Sequence, residues 1–250
     1  MKYLSLILFA SVLLNCDSIF DFKDESYPAT INKIDAKKQN QLLNTLTKDL
    51  KNCGSVSDYG FLFKKNSFNC HLGASYSSAG NQIDQVIRAK SVLVRNSKTT
   101  GVNNPDKLIL KKTSFNPKYW QIDFENQIFK GLEVINTGFS LRMDPNKVFS
   151  IYGHWYNNIV IPGKDNYSIT DVKKKLLGYE HTYICWRTNT FIVTQQRIDN
   201  ALIRKVIRPT FGKDKIYMMV VWEIRFKSEG FTFYVDTTTG DLSGGMNFLC

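Results

Sequence analysis

Between Tyr119 and Tyr156 the chain alternates apolar and polar positions in three runs: Trp120, Ile122 and Phe124; Phe139, Leu141 and Met143; Val148, Phe149 and Ile151. Lys130-Gly131 and Asp144-Pro145-Asn146 separate the runs, and both are residue types that favour turns. A period of two sends Trp120, Ile122 and Phe124 to one face and Gln121, Asp123 and Glu125 to the other. The stretch therefore reads as an antiparallel meander with one dry face and one wet face, a pattern that suits binding or scaffolding better than an active site.

Upstream, Asp35 is placed to cap a helix over residues 37–51, with Leu42, Leu43, Leu46 and Leu50 on one face. Residues 59–63 and 68–72 read as short strands around Lys64-Lys65-Asn66, and the small polar segment 75–80 marks a boundary. A helix carrying Ile83, Val86 and Ile87 starts near Asn81, and Leu108 to Leu110 opens the sheet. Beyond Pro162-Gly163, Ser168 caps a helix over residues 169–177 that Gly178 stops. Strands are expected over residues 191–193, 203–207, 216–226 and 231–235, with turns at Ser228-Glu229-Gly230 and residues 236–240, and Gly244-Gly245 in a terminal turn.

Lys2 followed by an apolar run from Leu4 to Leu14 reads as an export signal, shorter than the roughly 20 residues that span a bilayer. Leu13-Leu14-Asn15-Cys16 resembles a bacterial lipobox, in which Cys16 would become the lipidated first residue, although Asn15 departs from the usual small residue there. The competing reading is an ordinary cleaved signal. Two or more acyl chains, palmitate among them, are enough for stable attachment. The expected location is the cell envelope, at the outer membrane or surface rather than the inner membrane, with residues 16–36 as a tether.

Export makes the remaining cysteines informative, because Cys53, Cys70, Cys185 and Cys250 are an even set in an oxidising compartment. Three pairings are possible, and proximity favours Cys53 with Cys70 and Cys185 with Cys250. No pair has the close C-x-x-C type of spacing that zinc sites use, so a metal is not expected. With 33 Lys and Arg against 22 Asp and Glu, the formal charge of +11 favours anionic surfaces or an acidic partner. Nucleic acid is excluded as a partner by export and by the dispersal of the lysines.

Catalytic constellations are weak. His71, His154 and His181 are the chain's only histidines and none stands in an i, i+4 pair. A dyad of Cys70 or Cys185 with a histidine competes with disulfide formation. Asp123 and Glu125 share a strand face but read as solvated, as do Lys173-Lys174-Lys175, Arg204-Lys205 and Arg208. Trp120, Trp155, Trp186 and Trp222 sit in apolar-alternating surroundings and are expected in the core. No cofactor and no enzymatic activity are expected.

Two segments carry a family resemblance. Phe129-Lys130-Gly131-Leu132-Glu133-Val134, then Gly138, Leu141-Arg142-Met143-Asp144, Lys147-Val148 and Ile151-Tyr152-Gly153-His154-Trp155-Tyr156 resemble the FTP module of fungalysin and thermolysin propeptides, over roughly residues 81–160. Trp222-Glu223-Ile224 with Phe231-x-Phe-Tyr-Val-Asp236-x-x-Thr239-Gly240 resembles the PepSY module. The resemblance implies an α+β fold of two helix-on-antiparallel-sheet modules after a disulfide-bonded N-terminal segment. The divisions are a signal peptide (1–15), a lipidated tether (16–36), an N-terminal helix and hairpin (37–80), an FTP-like domain (81–162) and a PepSY-like domain (163–250).

FTP followed by PepSY is the propeptide arrangement of thermolysin-like metalloproteases, yet no H-E-x-x-H follows here. The resemblance thus implies a membrane-anchored, non-enzymatic module that inhibits or chaperones an exported peptidase. Phe129, Lys130, Leu132 and Glu133 are the expected partner-binding residues. The alternative is an adhesin-like surface lipoprotein recognising anionic glycans or host proteins.

Overall fold

The computed structural model describes residues 27–47, 50, 54–64, 80–117, 119–185 and 187–246. The signal peptide, Cys16 and most of the tether, together with Cys53, Cys70, His71, Trp186 and Cys250, lie outside the described residues. Helix α1 (Ala36–Thr45) starts where Asp35 accepts from Lys38 N at 2.7 Å, and it ends earlier than expected because Leu46 turns extended. Leu46 and Leu50 are nonetheless buried against the central helix and sheet.

Helix α2 (Gln82–Arg95) is capped by Asn81, whose side chain accepts from Asp84 N at 2.9 Å. It turns Gln85, Ala89, Val92 and Leu93 inward, and the short helix α3 (Ser97–Thr100) follows it. These inward residues pack on a four-stranded antiparallel sheet in the order β4 (Leu110–Asn116), β5 (Tyr119–Phe124), β8 (Ser140–Met143) and β9 (Val148–Tyr152). Ile122, Phe124, Phe139, Leu141, Met143, Val148 and Ile151 form the dry face, as the alternation predicts. The hairpin of β2 (Gly54–Val56) and β3 (Leu62–Lys64) adds Leu62 to the same core.

The second sheet is seven-stranded. It runs β15 (Leu242–Met246), β14 (Phe231–Asp236), β13 (Lys215–Phe226), β12 (Leu202–Phe211), β7 (Leu132–Val134), β6 (Gln127–Phe129), and β1 (Ala29–Asn32) also pairs with β13. One of its faces is covered by α4 (Ile169–Leu176), α5 (Gln195–Asn200) and the hairpin of β10 (Glu180–Cys185) and β11 (Arg187–Ile192). Ser168 and Asp171 cap α4 reciprocally, each side chain bonded to the other's backbone N–H.

This architecture corrects the expectation of two helix-on-antiparallel-sheet modules, because strands predominate and the seven-stranded sheet joins strands from both sides of residue 162. The β6–β7 hairpin leaves the meander, and β7 pairs in parallel with β12, Glu133 beside Val206 and Val134 beside Ile207. Ile135 N continues the ladder to Ile207 O at 3.0 Å. Ala29 to Asn32, expected in the tether, pair with Met218 to Lys215. Strands of three or four residues show too little alternation to reveal which sheet they join. Gly244 and Gly245 belong to β15 instead of a terminal turn, and a Cβ on Gly244 would lie 2.5 Å from Thr232 O. No disulfide is present among the described residues; Cys53, Cys70 and Cys250, on which both expected pairings depend, lie outside them. Cys185 ends β10, opposite Arg187.

Candidate interaction surface

The hairpin expected to meet a partner has an exposed tip on half-buried strands. Lys130 (φ 48°) and Gly131 (φ 82°) form its tip with two consecutive positive φ values, the geometry of a tight two-residue hairpin turn. Lys130 and Gly131 are exposed, whereas Phe129 and Leu132 pack, half-buried, against the core cluster of Tyr156, Ile159, Ile207 and Met218. Glu133 is no free charged rim. It accepts from Asn126 Nδ2 and pairs with Arg204 across the sheet.

That pair opens onto a network on one face of the large sheet. Arg204 also donates from Nε to Glu223 Oε2 at 2.5 Å, and Arg225 Nη2 reaches Glu223 Oε1 at 2.8 Å. Tyr234 Oη donates to the same oxygen at 3.4 Å, and the Glu223 side chain is only 1% exposed. Burial pushes the Glu133 carboxyl up, but the hydrogen bonds from Asn126 and Arg204 and the Arg204 charge outweigh it and hold it below the usual carboxylate range. Burial, reinforced by the Glu223 charge, raises the Tyr234 hydroxyl.

The cross-strand register sets Arg204, Val206 and Arg208 beside Glu223, Val221 and Met219, and places Ser243 opposite Tyr234. The Arg208 guanidinium carbon lies 4.0 Å from the Tyr234 ring centre, and its Nη1 donates to Ser243 Oγ at 2.6 Å. Ile135, Val206 and Val221 form a small apolar patch beneath, with Met219 and Tyr234 against it. Among the described residues, no helix packs on this face. Ile135, Val206 and Val221 are themselves buried, so what this face offers a ligand is oriented guanidinium groups around an aromatic ring, which can take planar anionic groups. Sequence reading put Arg204 and Arg208 on solvated faces. The alternation Arg204, Val206, Arg208 beside Glu223 and Arg225 was the available signal.

Among the described side chains no catalytic candidate is assembled, and Cys70 and His71 lie outside them. Asp123 accepts from Gln121 Nε2 at 3.2 Å, and Glu125 pairs with Lys111 at 3.7 Å. His181 meets the rings of Phe231 and Phe233 edge-on at 5.9 and 5.7 Å. Among the described residues, no group of three or more His, Cys, Asp or Glu stands together to hold a metal ion. An open cleft of about 680 Å³ runs beside the Arg197–Glu229 ion pair, with Gln196, Asn200 and Lys227 on its walls. No helix of the described residues is long and apolar enough to cross a membrane.

His154 serves packing instead. Its ring stacks on Phe61 at 4.2 Å and meets Tyr156 at 4.7 Å, and its buried Nε2 has no hydrogen-bond partner among the described residues. Burial pushes its pKa down to about 4. The unfolded chain takes up this proton near pH 6.5 and the folded chain resists until about pH 4, so the stability His154 supports is complete above 6.5 and is lost as pH falls through this window. At pH 5 the loss is about 2 kcal/mol. Urea unfolding at pH 7.5 and pH 5 should show this extra loss in the wild type and not in His154→Phe; equal losses in both would remove His154 from the acid response.

No protein-family model matches the chain, and no curated protein matches it. Among solved structures, the Bacillus megaterium YpeB C-terminal domain is similar over 86% of this chain and 100% of that chain, with a TM-score of 0.32 and 9% sequence identity. Likeness at that level carries no argument about fold or function.

Proposed function

We propose that this chain is a non-enzymatic binding module, anchored in the cell envelope through a lipid on Cys16, that inhibits or chaperones an exported peptidase. The observation that carries the reading is the arginine and tyrosine face of the seven-stranded sheet. Its charges are oriented by Glu223 and Glu133 yet not all consumed by them, since Arg208 rests on Tyr234 and Ser243 instead of a carboxylate. Such preorganised cations beside an aromatic ring favour protein recognition, because side chains already held in place lose little freedom on binding. The peptidase as partner comes from the resemblance of the two motif segments to FTP and PepSY propeptides.

At micromolar concentration the mature protein should inhibit, or speed the refolding of, a thermolysin-like peptidase exported by the same cell. The double variant Arg208→Glu with Tyr234→Ala should weaken this at least about tenfold, as losses of central arginine and tyrosine contacts do. If no exported peptidase responds while a sulfated glycan binds in a salt-sensitive way, the peptidase reading gives way to the adhesin-like one.

A further inference from the structure

We infer that the outer edge of β4, with the flank of α2 above it, is a docking groove for an extended acidic strand of a partner protein. The inference rests on the binding-module reading but names another place on the molecule and a narrower ligand. Strand β4 ends the order of the four-stranded sheet, and among the described residues no strand pairs with its outer edge. Its backbone N–H and C=O groups there can accept one more strand.

Helix α2 leaves room beside that edge. At about 100° per residue, Gln82 and Arg88 fall on opposite flanks of the buried stripe. Gln82 donates to Thr113 Oγ1 in β4 at 2.7 Å, while Arg88 reaches Asp144 O in the turn between β8 and β9. The flank bearing Ile83, Val86 and Lys90 therefore faces the β4 side. In the β4–β5 register Leu110, Thr113 and Phe115 stand opposite Phe124, Ile122 and Trp120, so they lie on the core side of the sheet. Yet Leu110 is 40% exposed, Phe115 56% and Ile83 71%. They form an apolar shelf that continues the core outward.

Lysines flank this edge. Lys90 stands on the helix flank and Lys107 lies just before the strand, while Lys111 and Lys112, at a register shift, belong to the opposite, wet face, where Lys111 pairs with Glu125 and Lys112 stands across from Asp123. Lysines and a bulge also guard edges against aggregation, but a merely guarded edge has no need of three large exposed apolar side chains. A second copy of a chain with a formal charge of +11 would bring the same lysines face to face, which disfavours self-pairing. A strand alternating acidic and apolar residues satisfies both the lysines and the shelf.

The test uses a short capped peptide alternating glutamate and valine, and its lysine–valine counterpart. The acidic peptide should bind the mature protein and slow amide hydrogen exchange over residues 110–116, and the lysine peptide should not. Phe115→Glu should weaken binding at least about tenfold, and Lys111→Gln with Lys112→Gln, which sets no like charge beside Glu125 or Asp123, should weaken it too. Protection appearing at β6 or β15, equal binding of both peptides, or no binding at millimolar peptide would overturn the inference. So would a dimer that Phe115→Glu dissolves, since the occupant would then be a second copy. The two proposals separate cleanly. Inhibition of a peptidase equally by wild type and Phe115→Glu would keep the function and remove this groove; acidic peptide on β4 in a protein that affects no peptidase would do the reverse.

Discussion

Replacing Arg204 with methionine should lower the unfolding free energy by about 3 kcal/mol, near the lower end of what breaking a buried ion pair costs. The lower end applies because the Arg204 side chain is 32% exposed, whereas the Glu223 side chain it serves is 1% exposed. Without Arg204, Glu223 keeps Arg225 and Tyr234, and Glu133 keeps Asn126, so neither carboxylate is stripped bare. The remaining cost is a buried charge short of one donor. A second change, Glu223→Gln in the Arg204→Met background, removes that charge and should recover at least half of the loss. Urea unfolding of the two variants checks both steps, and a cost under about 0.5 kcal/mol for Arg204→Met would mean that Glu223 does not depend on it.

Gly153→Ala should cost still more, over about 3 kcal/mol, because two penalties add. Gly153 has a φ of 101°, where an L side chain is strained, and a Cβ there would lie 2.3 Å from Gly138 O and 2.9 Å from Phe139 Cα. The obstruction is backbone, and relieving it drags the start of β8. The chain that follows matters too, since His154 stacks on Phe61, Trp155 enters the core under α2, and Tyr156 enters the core under β12 and β13. Gly131→Ala is the control, since its φ of 82° is strained while nothing lies within 4 Å of the added Cβ. That variant should lose only about 1 kcal/mol. Thermal melts compare the two, and equal losses would show that backbone strain alone sets the cost.

The sequence was informative where a pattern is local. Asn81 and Ser168 mark helix starts through a side chain and a backbone N–H three residues apart, and the dry face of β5, β8 and β9 follows from alternation. It was uninformative where a partner is remote. Glu133 reads as an exposed charge because its counter-ion, Arg204, stands 71 residues later. The fate of β6 and β7 was hidden for the same reason, since the parallel ladder to β12 leaves no mark on either three-residue strand. The Arg208–Tyr234–Ser243 arrangement needs four strands, β12 to β15, in register before its residues meet.

The mixed sheet also sets an order of events during folding. Ala29 to Asn32 and Leu132 to Val134 leave the ribosome, and cross the membrane if the chain is exported, long before Ile207 and Met218 exist to pair with them. The meander and α2 can close on contacts near in sequence, while the large sheet must wait for its last strands. Until then β1 has no strand to pair with and the β6–β7 hairpin keeps an open edge, both with apolar residues attached, the kind of surface that aggregates or engages chaperones. Truncation before residue 202 would therefore leave the N-terminal half with strands that have nothing to join, and limited proteolysis during refolding should find residues 127–134 among the last segments to become resistant.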